Sequence, residues 1–152
     1  MPSALLFREA RRADVPAVVA LLLDDALGAN RELAEANQYY EAFETMRTEA
    51  GNTLIVGEDS GGRVVATYQL TFITGLSLRA SRRAQVESVR VAREMRGHGL
   101  GAAMMADAEA RARAAGCKLL QLTTHTTRNR ARDFYDSLGY QPTHVGYKYQ
   151  LD

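Results

Sequence analysis

Residues Gln85 through Thr124 constrain the fold of this chain more than any other stretch. A strand is predicted from about Gln85 to Val91, followed by the turn Met95-Arg96-Gly97-His98-Gly99-Leu100-Gly101. An alanine-rich helix then runs to Ala115, stops at Gly116, and gives way to a second apolar strand, Lys118–Thr124. A helix between two strands of one sheet forms a crossover connection, and crossover-linked strands run parallel. Gly97, Gly99 and Gly101 let the backbone take left-handed conformations and approach a ligand without a Cβ in the way. The helix start adds unpaired N–H groups and the positive end of the helix dipole. Together these make an anion site suited to a phosphate or pyrophosphate.

The remaining elements complete a mixed design. Leu5–Ala10 reads as a first strand. Asp14 is a plausible N-cap, with Pro16 tolerated in the first turn of a helix to about Leu27. Leu33, Ala36, Tyr40, Phe43 and Met46 have near-helical spacing and predict a second helix ending before Gly51-Asn52. Thr53–Glu58, the turn Ser60-Gly61-Gly62 and a β-branched run from Arg63 to about Ile73 predict a hairpin. A last helix, Asn129–Leu138, is closed by Gly139, and Val145–Leu151 suits a final strand. The order β-α-α-β-β-β-α-β-α-β implies an α/β fold of mixed α+β type, a twisted mixed sheet flanked by helices, and not a doubly wound one. No repeat or Pro/Ser-rich linker interrupts it, so a single domain over 1–152 is expected.

Composition excludes several function classes. The formal net charge of +1 argues against nucleic-acid binding by bulk electrostatics. The local clusters Arg79/Arg82/Arg83 and Arg128/Arg130/Arg132 form no long basic stripe. Cys117 is the only cysteine, so no intrachain disulfide can form. His98, His125 and His144 lie far apart and lack H-x-x-x-H spacing, so no metal is expected. Met1–Ala10 holds no apolar run of signal-peptide length. The longest apolar run, Val15–Leu23, contains Pro16 and is too short for a membrane span. A cytoplasmic protein without membrane contact is the default expectation.

The glycine spacing matches neither G-x-G-x-x-G nor G-x-x-x-x-G-K-[ST], so a dinucleotide-binding unit and a P-loop are poor fits. Glycines that merely shape a tight turn are the plain alternative. The segment Asn129-Arg130-Ala131-Arg132-Asp133-Phe134-Tyr135-Asp136-Ser137-Leu138-Gly139-Tyr140 adds a second signature. Taken with Arg96-x-x-Gly99-x-Gly101, it resembles the GCN5-related N-acetyltransferase (GNAT) superfamily. The likeness is strong from about Glu87 to Tyr140 and rests mainly on element order before Ala84.

The resemblance implies an acetyl-CoA-dependent N-acetyltransferase acting on an amine of a small molecule or peptide. It implies that Val89 and Val91 offer main-chain groups to the pantetheine arm. Arg96, Gly97, His98, Gly99, Leu100 and Gly101 would surround the pyrophosphate, and Asn129 would contact the cofactor arm. Tyr135 matches the family tyrosine beside the acetyl sulfur, where a phenol with an ordinary pKa near ~10 suits protonation of a leaving thiolate. A half-buried ring packing the last helix is the plain alternative.

Glu87 is the matching candidate base, because an ammonium acceptor must lose a proton before attack. Period-two alternation places it on the face of Val89 and Val91. Pairing with Arg90 or a neighbouring strand is an equal alternative, and His125 or water are rival bases. Asp24, Asp25, Glu35, Tyr39 and Tyr40 offer acidic and aromatic groups suited to a cationic amine. Cys117 reads as a core residue and not a nucleophile. A non-catalytic acyl-CoA-binding or sensory module on the same fold is the runner-up, and a nucleic-acid-binding regulator is disfavoured. A homodimer is common in the family. Neither the acceptor nor the oligomeric state is named by any motif.

Overall fold

The computed structural model describes residues 4–24 and 36–152. These fall into two compact units, Met1–Gln121 and Leu122–Asp152.

The first unit is built on a sheet of sequential strands, β1 (Leu6–Glu9), β2 (Asn52–Glu58), β3 (Val64–Thr74), β4 (Arg82–Val91) and β5 (Leu119–Leu122), in the order β1-β2-β3-β4-β5. The first three pairings are antiparallel, with Arg8 opposite Val56, Ile55 opposite Tyr68, and Leu70 opposite Val86. The β2–β3 hairpin closes on Asp59, whose Oδ1 accepts the N–H groups of Gly61 at 2.9 Å and Arg63 at 3.0 Å. At the far edge, Lys118 N donates to Arg82 O and Gln121 Nε2 to Gln85 Oε1, both at 2.8 Å. The partner numbers climb together, so β5 runs parallel to β4, as the crossover through α3 (Leu100–Ala114) predicts.

Alternation along β3 divides the core between the two faces. Ala66, Tyr68 and Leu70 share one face with Ala84 and Val86 of β4, all buried. Helix α3 covers this face with Leu100, Met104, Ala108 and Ala112, a buried stripe at i, i+4 spacing. Tyr68 is 1% exposed, and its hydroxyl donates to Asp107 Oδ2 of α3 at 2.5 Å. Val65 turns to the opposite face, where it packs with Leu21 of helix α1 (Val15–Leu23) and with Ala92. Helix α2 (Ala36–Thr48) adds Phe43 to the core.

Asp14 does not cap α1 as expected. It accepts the Arg11 N–H at 2.7 Å, closing the single 3-10 turn Arg12–Asp14, and binds Arg8 through both carboxylate oxygens at 2.7 and 3.0 Å. Arg8 also donates to Glu58 at 3.0 Å, which joins β1, β2 and the start of α1. The Arg8 hydrogen bond holds the Asp14 carboxyl below the usual range despite its burial. Of the first helix, the expected extension over 25–27 lies outside the described residues, as does Leu33.

The second unit carries helix α4 (Asn129–Ser137), ended by Gly139, which takes φ +91° and donates to Asp136 O at 3.0 Å. The expected final strand is not formed. Val145, Tyr147, Tyr149 and Leu151 are 76–93% exposed, and no ladder pairs them. Alternating apolar residues are compatible with a strand, but a strand forms only in pairing with another, and this segment has no partner strand among the described residues.

Candidate active site

The site begins at an irregularity in β4. Gln69 pairs with Glu87 and Thr67 with Arg90, so two steps on β3 face three on β4. The extra residue is a β-bulge, and Ser88 within it takes φ +53°. The bulge corrects the simple alternation. Glu87 and Arg90 share one face, because their partners Gln69 and Thr67 do, whereas Val91 pairs with Ala66 on the other. Glu87 is therefore not on the face of Val91. No sequence signal marks Ser88 for this conformation, which favours Gly, Asn or Asp.

Beyond Val91 the chain makes a 3-10 turn, Arg93–Met95, and reaches the glycine segment. Gly97 and Gly99 take φ +82° and +77°, and a Cβ at either would meet nothing within 4 Å. Gly99 forms the N-cap of α3 without any side-chain cap. Among the described residues, the N–H groups of Gly97 through Ala102 have no protein acceptor. Arg96, Gly97, His98 and Gly99 are exposed, whereas Leu100 is buried as the first anchor of α3. The result is an open row of donors at the positive end of a 15-residue helix.

Arginines tie this turn to its surroundings. Arg96 Nε donates to Val91 O at 3.2 Å, and Arg90 Nη1 donates to Val89 O at 3.0 Å. Each carbonyl retains a second lone pair for a ligand donor. Arg93 Nη2 binds Asp24 Oδ1 at 3.0 Å, and Arg96 Nη2 lies 4.0 Å from Asp24 Oδ2. Asp24 thus pairs with the arginines of the glycine turn. The Tyr40 ring is likewise covered by the Arg12 guanidinium at 4.4 Å. Tyr39 lies on α2, and Asp25 and Glu35 fall outside the described residues.

Glu87 is exposed and accepts Gln85 Nε2 at 2.7 Å. It forms no ion pair among the described residues, so the pairing with Arg90 is not observed. Gln85 bonds to it and to Gln121, and its register partner Gln69 bonds to Asn52, a set of side-chain amides that sequence reasoning passed over. Their trace was present in polar residues interrupting otherwise apolar strands.

In the second unit, Asn129 opens α4 and is exposed. Tyr135 packs against Phe134 with ring centroids 5.1 Å apart and meets Tyr140 edge-on at 5.9 Å. His125 Nδ1 accepts the Thr127 N–H at 3.2 Å, so the proton of its neutral ring sits on Nε2. Among the described residues, no group of three or more His, Cys, Asp or Glu could hold a metal ion, and no helix is long and apolar enough to cross a membrane.

The model of the acetyltransferase (GNAT) family matches residues 16–140. The chain belongs to that family. No curated protein matches its sequence. Among solved structures, this GNAT chain is similar to a transcriptional regulator from Bacillus halodurans C-125, at 36% identity and TM-score 0.92, covering 97% of this chain and 100% of that one. It is also similar to a candidate acetyltransferase from Agrobacterium tumefaciens str. C58, at 25% identity and TM-score 0.85, covering 96% and 99%. Glucosamine-6-phosphate N-acetyltransferase from Arabidopsis thaliana shares the GNAT fold at 17% identity and TM-score 0.79, covering 99% and 100%.

Proposed function

We propose that this chain transfers the acetyl group of acetyl-CoA directly to a primary amine of a small molecule or peptide. The carrying observation is the row of N–H groups from Gly97 to Ala102, which lack protein acceptors among the described residues, in a chain of the acetyltransferase family. The donor set fits a pyrophosphate. The groups are neutral and held in place by the turn, and Gly97 and Gly99 leave open the space a Cβ would take. Arg96, Gly97, His98, Gly99, Leu100 and Gly101 would hold the phosphates, Val89 and Val91 the pantetheine arm, and Asn129 its amides.

Acetyl-CoA supplies an activated acyl group, and the chain supplies position and protons. Glu87, on the sheet face beside the bulge, takes a proton from the acceptor ammonium directly or through water. A strand-borne backbone N–H near Val89 polarises the carbonyl under attack. Tyr135 returns a proton to the departing thiolate. No covalent enzyme intermediate is required, and Cys117, half-buried just after the end of α3, takes no part.

The test is thiol release from acetyl-CoA across small amines, amino acids and peptides, together with Tyr135→Phe. Turnover should fall by about a hundredfold while acetyl-CoA affinity holds; an unchanged rate removes Tyr135 from the acid role. A non-catalytic acyl-CoA-binding or sensory module is the second reading; the similar Bacillus halodurans chain is named a transcriptional regulator, with no ligand or reaction stated. It predicts acetyl-CoA binding by calorimetry with no thiol release for any amine.

A further inference from the structure

Two chains of side-chain amides cross the sheet face that carries Glu87, and each ends on a carboxylate. In one, Gln121 Nε2 donates to Gln85 Oε1 at 2.8 Å, and Gln85 Nε2 donates to Glu87 Oε1 at 2.7 Å. In the other, Gln69 Nε2 donates to Asn52 Oδ1 at 2.9 Å, and Asn52 Nδ2 donates to Glu49 Oε2 at 2.7 Å. The carboxylates fix the polarity of both chains. A carboxylate accepts and does not donate, so Glu49 must face the Asn52 amino group. The Asn52 carbonyl then faces Gln69, which must present its own amino group. Thr71 Oγ1, 3.4 Å from Asn52 Oδ1, adds a second donor to that carbonyl and supports the same orientation. By elimination, Gln69 Oε1 is the atom left unengaged.

Gln69 and Glu87 are register partners on β3 and β4. Directly opposed residues place their Cβ atoms about 5 Å apart on one face. Gln69 Oε1 has no protein donor among the described residues, and neither has the second oxygen of Glu87. Two open acceptors, one charged, thus sit side by side, with no cation paired to Glu87 among the described residues. Their complement is a group with positive charge and several N–H donors. A primary ammonium has three donors and no acceptor; a quaternary ammonium has charge alone.

We propose that Gln69 is a specificity residue, its carbonyl binding the ammonium of the acceptor together with Glu87. Asn52 is a positioning residue that prevents the Gln69 amide from flipping. This assignment rests on the amine-acetylation reading and adds the recognition of a primary, fully protonated amine.

The test uses n-butylamine, with n-butyltrimethylammonium as the donor-free control, followed by the NMR signals of the glutamine side-chain amides and by thiol release from acetyl-CoA. The wild type should bind n-butylamine in preference to the quaternary ion. Gln69→Leu should weaken n-butylamine about tenfold in both KM and direct binding, leave acetyl-CoA affinity unchanged, and keep its circular dichroism. Gln69→Glu restores an acceptor at this position and should recover amine binding. Asn52→Leu should reduce the preference while the Gln69 side-chain signals shift. Unchanged amine affinity in folded Gln69→Leu overturns the proposal. So does equal binding of the quaternary ion, or no amine binding at Gln69 in the wild type. If the amine binds through Gln69 yet no amine releases thiol, the transfer reading fails and the subsite stands.

Discussion

The phenol of Tyr68 donates to Asp107 Oδ2 at 2.5 Å, joining the middle strand of the sheet to the helix that begins at the glycine turn. Arg111 extends the link, donating from Nε to the same carboxylate oxygen at 2.8 Å and from Nη2 to Phe7 O at 3.3 Å. Burial raises the Tyr68 pKa well above its ordinary value, with the Asp107 hydrogen bond adding to the shift, so the group stays a donor throughout the working range. Tyr68→Phe keeps the ring and removes a hydrogen bond to a charged acceptor. It should cost about 2 kcal/mol, read as a lower urea midpoint with an unchanged slope. A stability within error of the wild type would show that Asp107 is satisfied by Arg111 alone.

Arg8 and Asp14 predict how stability responds to acid. The Asp14 side chain is 11% exposed, and its pKa is lowered chiefly by the Arg8 hydrogen bond. A depressed carboxyl binds a proton less readily folded than unfolded. Its contribution is therefore complete above the unfolded pKa and is lost as pH falls through the lower folded value. Asp14→Asn should destabilise the protein at neutral pH and narrow its difference from the wild type as pH is lowered into the acid range. Urea unfolding of both proteins at stepped pH checks this; a difference that does not narrow would assign the effect to packing.

Much of this was legible from residue patterns, because periodicity and glycine placement report local preference. Gly97 and Gly99 adopt the left-handed backbone their spacing suggested, whereas Gly101 lies in the first turn of α3; β5 runs parallel to β4 because a helix separates them. What was not legible depends on pairing across strands. The bulge at Ser88 exists because β3 and β4 carry unequal residue counts between two fixed pairs, which no local pattern encodes. Asp24 looked available because its arginine partners lie 69 and 72 residues away. The Val145–Leu151 alternation marked a segment able to form a strand but could not supply a neighbour for it.

Ser88 offers a test of the bulge. A left-handed conformation costs a non-glycine residue about 1–2 kcal/mol, and a β-branched residue more. Ser88→Gly should therefore be neutral or stabilising, by up to about 1 kcal/mol in thermal or urea unfolding. Ser88→Val should destabilise the protein and lower thiol-release turnover, since relief of the strain requires re-registering β4 beside Glu87. If both variants behave as wild type, the bulge is not held in the conformation seen here.

Gly99 separates ligand geometry from folding. Its φ of +77° tolerates Ala or Val only with strain, yet a Cβ there meets nothing within 4 Å, so no core contact is disturbed. The added atoms enter the open space beside the N–H groups that begin α3. Gly99→Ala should cost about 1–2 kcal/mol of stability from backbone strain and weaken acetyl-CoA by about tenfold or more. Gly99→Val should block binding while leaving the circular dichroism of a folded protein. Calorimetric titration with acetyl-CoA, alongside urea unfolding of the same samples, separates the two effects. Unaltered acetyl-CoA affinity in a folded Gly99→Val protein would remove the pyrophosphate from this turn.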